Sequence, residues 1–86
     1  MATIQEVIDA ARRIERSSEG LRLRLIAAEG QLRRSAGQLA PIVKGSRSGQ
    51  AAVREVQEAQ AQLKTAVHDL DGLRRAIDEF LHDLEK

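Results

Sequence analysis

The sequence predicts an all-α fold, a two-helix antiparallel hairpin of coiled-coil type, and three observations carry that prediction. Apolar and small residues recur at a mean spacing of about 3.5 residues through both halves of the chain. One dense cluster of turn formers, Lys44-Gly45-Ser46-Arg47-Ser48-Gly49, lies at the middle. The composition is that of long helices, rich in Ala, Leu, Glu, Gln and Arg, with Phe80 as the sole aromatic residue and no Cys. The 86 residues make one domain: a first helix over about 4–40, a turn over about 41–49 and a second helix over about 50–85.

The first helix begins at Thr3-Ile4-Gln5-Glu6, a capping box in which the Thr3 hydroxyl accepts from the Glu6 amide and the Glu6 side chain reaches back. Its apolar stripe runs through Ile4, Val7, Ala11, Ile14, Ser18, Leu21, Leu25, Ala28, Leu32, Ser35 and Leu39 without a change of phase. Ser17-Ser18-Glu19-Gly20 is a weak point. Since Ile14 and Leu21 stay in step across it, the helix is expected to be continuous there. Pro41 has no amide donor and disfavours helical geometry at Ala40, so the helix is expected to end or kink near Leu39.

Val43, Gly45, Ser46, Ser48 and Gly49 are the turn residues, with Ser46 or Ser48 available to cap the second helix. That helix carries two heptad series: Val56, Leu63, Leu70, Ile77 and Leu84, and Ala52, Ala59, Ala66, Leu73 and Phe80. Folding the chain about the Gly45–Ser46 bond sets Val7 against Leu84, Ile14 against Ile77 and Leu21 against Leu70. The other layers set large against small: Ala11 with Phe80, Ser18 with Leu73, Leu25 with Ala66, Ala28 with Leu63, Leu32 with Ala59, Ser35 with Val56, Leu39 with Ala52. Such alternation fills a constant gap between helices. Arg22 and Arg24 fall level with Asp69 and Asp71.

A two-helix seam shields one narrow stripe, and apolar residues lie outside it: Ile8, Leu23 and Ile26 in the first helix, Val53, Val67 and Leu81 in the second. These six are the expected intermolecular face, and they predict a hairpin that dimerises, with itself or with another helical protein, into a four-helix bundle. A lone core in a chain of this size supplies only about 3 to 5 kcal/mol, and no disulfide adds to it.

Charge and motifs narrow the function. Fourteen basic residues stand against thirteen acidic ones, a net charge of +1 that suits a protein partner better than nucleic acid or an anionic membrane. The seven arginines of the first helix, Arg12, Arg13, Arg16, Arg22, Arg24, Arg33 and Arg34, are scattered round it among Glu15, Glu19 and Glu29. A small nucleic-acid-associated regulator using these arginines is the alternative reading. Glu79-x-x-His82 has the spacing of a di-iron ligand pair, yet it has no second copy and falls away from the seam, as does His68. No serine has a His and a carboxylate placed to activate it. Neither an enzyme nor a metal or other cofactor is predicted. No apolar run approaches the roughly 18 residues of a membrane span, and the N-terminus lacks the apolar core of a cleavable signal. The expected location is cytoplasmic, or exported without such a signal.

At Leu39-Ala40-Pro41-Ile42-Val43-Lys44-Gly45-Ser46-Arg47-Ser48 the chain resembles the Trp-x-Gly family of small helical hairpins exported by type VII secretion systems. Gly45 and the serines after it hold the expected places, and Val43 stands where that family has its Trp. Phe80 and Leu84 stand where its export tail has Tyr and an acid. The chain is also similar to short Ala-, Leu- and Arg-rich actinobacterial hairpins with a Gly-Ser-rich turn. The resemblance implies a non-catalytic interaction module that self-associates into a four-helix bundle or accompanies a larger secreted protein as partner or chaperone.

Overall fold

The computed structural model describes residues 1–85 and contains two helices, α1 (Ile4–Ile42) and α2 (Arg47–Leu84), packed against each other as an antiparallel hairpin. The molecule is a rod of 62 × 19 × 15 Å with a radius of gyration of 19.2 Å. A compact chain of this length would have a radius of about 12 Å.

Thr3 caps α1 as its sequence predicts: its Oγ1 accepts from the Glu6 amide at 3.1 Å and donates to Glu6 Oε1 at 3.3 Å. The helix crosses Ser17 to Gly20 unbroken. Ser18 is buried there, and its hydroxyl donates to the Glu15 carbonyl at 3.0 Å, so it adds no unpaired polar atom to the seam.

Around the turn the structure departs from expectation. Pro41 lies inside α1, which ends at Ile42 with the Val43 amide donating to the Leu39 carbonyl at 3.1 Å. So close to the end, a proline removes only a bond of the last turn. Of the two serines able to cap α2, Ser46 does so, its Oγ accepting from the Gly49 amide at 3.1 Å. The second helix therefore starts at Arg47 rather than near 50, and Ser48 and Gly49 belong to it. Gly45 makes the reversal at φ +94, a left-handed conformation that disfavours any side chain. A Cβ on Gly49 would collide with the Val43 side chain, so this glycine lets the two helix ends close together.

The pairing level agrees with a fold about the Gly45–Ser46 bond. Glu29 meets Gln60 and Lys64, and Arg22 meets Asp71. The rotation of the helices does not agree. Val53 and Leu81, expected on an outer face, are the most buried aliphatics of α2 at 8% and 6% exposure. Ile8 and Val67, expected beside them, are half-buried. Ile14, Leu21, Leu73 and Phe80, expected in the seam, are exposed at 51%, 42%, 40% and 46%. The remaining expected seam residues, Val7, Leu25, Leu32, Leu39, Val56, Leu63, Leu70, Ile77 and Leu84, are half-buried.

One cause accounts for these exchanges. The inner row of α1 runs Ile8, Glu15, Arg22, Glu29, Ala36, and its three charged residues hide its seam position from any search for apolar periodicity. It packs beside the row Val53, Gln60, Val67, Arg74, Leu81 of α2. Turning those aliphatics inward swings the row of Ile14 and Leu21, and the matching row of Leu73 and Phe80, out to one side. Among the described residues no large side chain is fully buried, and the buried apolar set is Ala11, Ala36, Val53 and Leu81.

Candidate docking face

The two long sides of the rod differ in chemistry. On one, the seam's charged row is satisfied by α2. The Glu29 carboxylate, 8% exposed, accepts from Gln60 Nε2 at 3.0 Å and from Arg33 Nη1 at 3.4 Å, with Lys64 Nζ at 3.7 Å. Arg22 donates to both carboxylate oxygens of Glu19 at 3.0 Å and stands 3.7 Å from Asp71. That hydrogen bonding holds the Glu19 carboxyl below its usual range and keeps Arg22 more firmly protonated. Glu15 faces Asp78, and a hydrogen bond between the two carboxyls, aided by desolvation and like charge, raises Glu15 above its usual range despite Arg12 and Arg74 nearby.

The other side is apolar. Two adjoining grooves run between the helices there, of about 610 and 490 Å³. The first is lined by Val7, Ala10, Ile14, Ile77 and Phe80, the second by Ile14, Leu21, Leu70 and Leu73 with Ser17 and Ser18. Both lie in the half of the rod away from the turn. Toward the turn the corresponding rows shrink to Ala28 and Ser35 on α1 and to Ala52, Ala59 and Ala66 on α2. Ile26, 43% exposed, belongs to the opposite side, where it lines a cleft of about 130 Å³ with Glu29, Lys64 and Val67. Leu23 is 55% exposed and adjoins none of these hollows.

Of the six residues expected to form an intermolecular face, then, two are buried, two are half-buried and only Leu23 and Ile26 are exposed. The exposed apolar face is built instead from residues expected in the seam. The sequence shows a surplus of apolar rows, since the Leu73 and Phe80 row has a heptad period of its own and a hairpin seam has room for only two rows from each helix, but not which row is left outside.

His68, Glu79 and His82 are exposed, and among the described residues no group of three His, Cys, Asp or Glu side chains is placed to hold a metal ion. Of the first-helix arginines, Arg22 is half-buried in the seam, Arg33 serves Glu29, and Arg12 lies 4.0 Å from Glu85. Arg13, Arg16, Arg24 and Arg34 are exposed at different angles round α1. Among the described residues no helix is long and apolar enough to cross a membrane. Compared with known proteins, the chain matches no family model, no curated protein and no solved structure.

Proposed function

We propose that this chain is a non-catalytic protein–protein interaction module, and that it works by laying the apolar side of its hairpin against another helical surface to complete a four-helix bundle. The partner surface belongs to a second copy or to the helical part of a larger protein. The observation that carries this reading is the concentration of Ile14, Leu21, Leu73 and Phe80, each at least 40% exposed, on one side of a rod in which, among the described residues, no large side chain is fully buried.

Area supports it. The chain exposes 6471 Å². A compact monomer of 9.5 kDa would expose about 5,000 Å², so the rod leaves roughly 1,400 Å² more in water. A stable interface of standard size covers about 800 Å² on each partner. Scattered apolar residues need no explanation, whereas a rim-bounded apolar groove does.

The test is site-specific photo-cross-linking in the producing cell. A photoreactive residue replacing Leu73 should give discrete protein adducts, and the same residue replacing Arg16, on the outward face, should not. Equal labelling at both sites, or none at Leu73, would refute the reading.

A further inference from the structure

Beyond the apolar rows, the outer edges of the two helices are charged with opposite sign. On α1 the edge flanking the apolar side carries Arg13, Arg24 and Arg34, and the two acids at its N-terminal end, Glu6 and Asp9, are engaged within the helix, Glu6 with the Thr3 cap and Asp9 with Gln5 Nε2 at 2.9 Å. The corresponding edge of α2 carries Glu55, Glu58, Asp69 and Glu79 and no base among the described residues. Segregation of this kind is not demanded by a chain of net charge +1. Nor does the hairpin use it: Arg13, Arg24, Arg34, Glu58, Asp69 and Glu79 are all exposed and, among the described residues, none forms an ion pair.

The spacing is complementary as well. The three arginines are separated by eleven and then ten residues, and Glu79, Asp69 and Glu58, taken in the reverse direction, by ten and then eleven. At a rise of about 1.5 Å per residue the two ladders stay within about one residue of each other, which a flexible Arg side chain spans.

We infer that the partner on the apolar face is a second copy of this chain, related by a twofold axis along the rod, so that α1 of each copy lies antiparallel on α2 of the other and both turns sit at the same end. This rests on the interaction reading above and adds the partner and its orientation. Within one hairpin Arg22 is level with Asp71 and Glu29 with Gln60. Two copies with coincident turns therefore set Arg24 level with Asp69 of the partner copy, Arg13 with its Glu79 and Arg34 with its Glu58. The other face-to-face arrangement, with a twofold axis across the rod and turns at opposite ends, lays α1 on α1 and α2 on α2. That sets Arg edge on Arg edge and acid on acid, which electrostatics opposes. In the inferred dimer Ala28 and Ser35 meet Ala59 and Ala66 of the partner near the turn, where helices approach closely, while the bulky residues meet toward the open end.

The chain has no Cys, so a single Lys44→Cys substitution places one spin label beside the turn. Sedimentation equilibrium of the full chain should show a dimer, and dipolar spectroscopy of the labelled dimer should place the two labels within about 30 Å, the width of paired rods. Labels near the rod length of 62 Å would overturn the orientation. Arg24→Glu should weaken the dimer about tenfold or more, Asp69→Arg likewise, and the double exchange should restore it, because each pair occurs twice in a symmetric dimer. Failure of the exchange to restore, or a wild-type chain that stays monomeric at high micromolar concentration, would overturn the inference. A monomeric chain that still yields adducts to a different protein through Leu73 would leave the interaction reading standing while removing the second copy.

Discussion

Glu29 is a charged residue where the hairpin has least water, and three donors from two helices converge on it. Replacing it with Ala leaves the half-buried Gln60 amide without its acceptor beside a small void, while the exposed Lys64 ammonium stays hydrated. Glu29→Ala should therefore cost about 2 kcal/mol in denaturant unfolding. Glu29→Leu should recover much of that loss, since an apolar side chain suits the position once the charge is gone. Glu15 behaves oppositely, because its partner Asp78 is another acid. Its carboxyl is raised in the folded chain, so its contribution to stability is fully present below the unfolded-state pKa and disappears as pH rises through the folded one. Glu15→Gln should raise the melting temperature at pH 7 and reduce the gain the parent protein shows on mild acidification. Glu19, lowered by Arg22, contributes above its unfolded-state pKa and loses that contribution as pH falls, so a scan of Glu15→Gln against Glu19→Gln separates the two slopes.

At the scale of the helices, the phase of the seam decides which aliphatics matter. Leu81 is 6% exposed and Phe80, its neighbour, 46%. Leu81→Ala should cost about 2 kcal/mol and Phe80→Ala well under half of that, measured by denaturant titration at a dilution where the chain does not associate. The reverse order would mean that the seam follows the apolar heptads directly. The sequence made the Thr3 cap, the midpoint reversal and the pairing level legible, because each rests on short-range chemistry or on chain length. It hid the rotation about the helix axis. Ile14 and Leu25 carry the same apolar signal, but only one can face the neighbouring helix, and the decision falls to Glu15, Arg22 and Glu29, whose cross-helix partners lie at least 31 residues away. Pro41 misled for a different reason: its propensity penalty is smallest in the last turn, where α1 uses it.

For the whole molecule, the consequence of that rotation is an asymmetric rod with a salt-bridged side and an apolar one. Replacing Leu73 and Phe80 together by Ser should leave helicity and unfolding midpoint nearly unchanged at high dilution, since both are exposed at 40% or more in the lone hairpin. The same double variant should abolish concentration-dependent stabilisation, read as a melting temperature that no longer rises with protein concentration. That an apolar side exists was legible from excess aliphatics; which residues compose it was not, since Ile8, Val53, Val67 and Leu81 turn inward.

The charged row inside the seam also acts against error. Slide α2 along α1 by a heptad toward the turn and Asp71 comes level with Glu29; slide it the opposite way and Lys64 confronts Arg22 while Asp71 meets Glu15. A purely aliphatic seam repeating every seven residues would tolerate either misalignment. Alternating acid, base, acid along one rail admits a single tooth-to-tooth engagement, so the rod is proofread along its length by the very residues that weaken its grip.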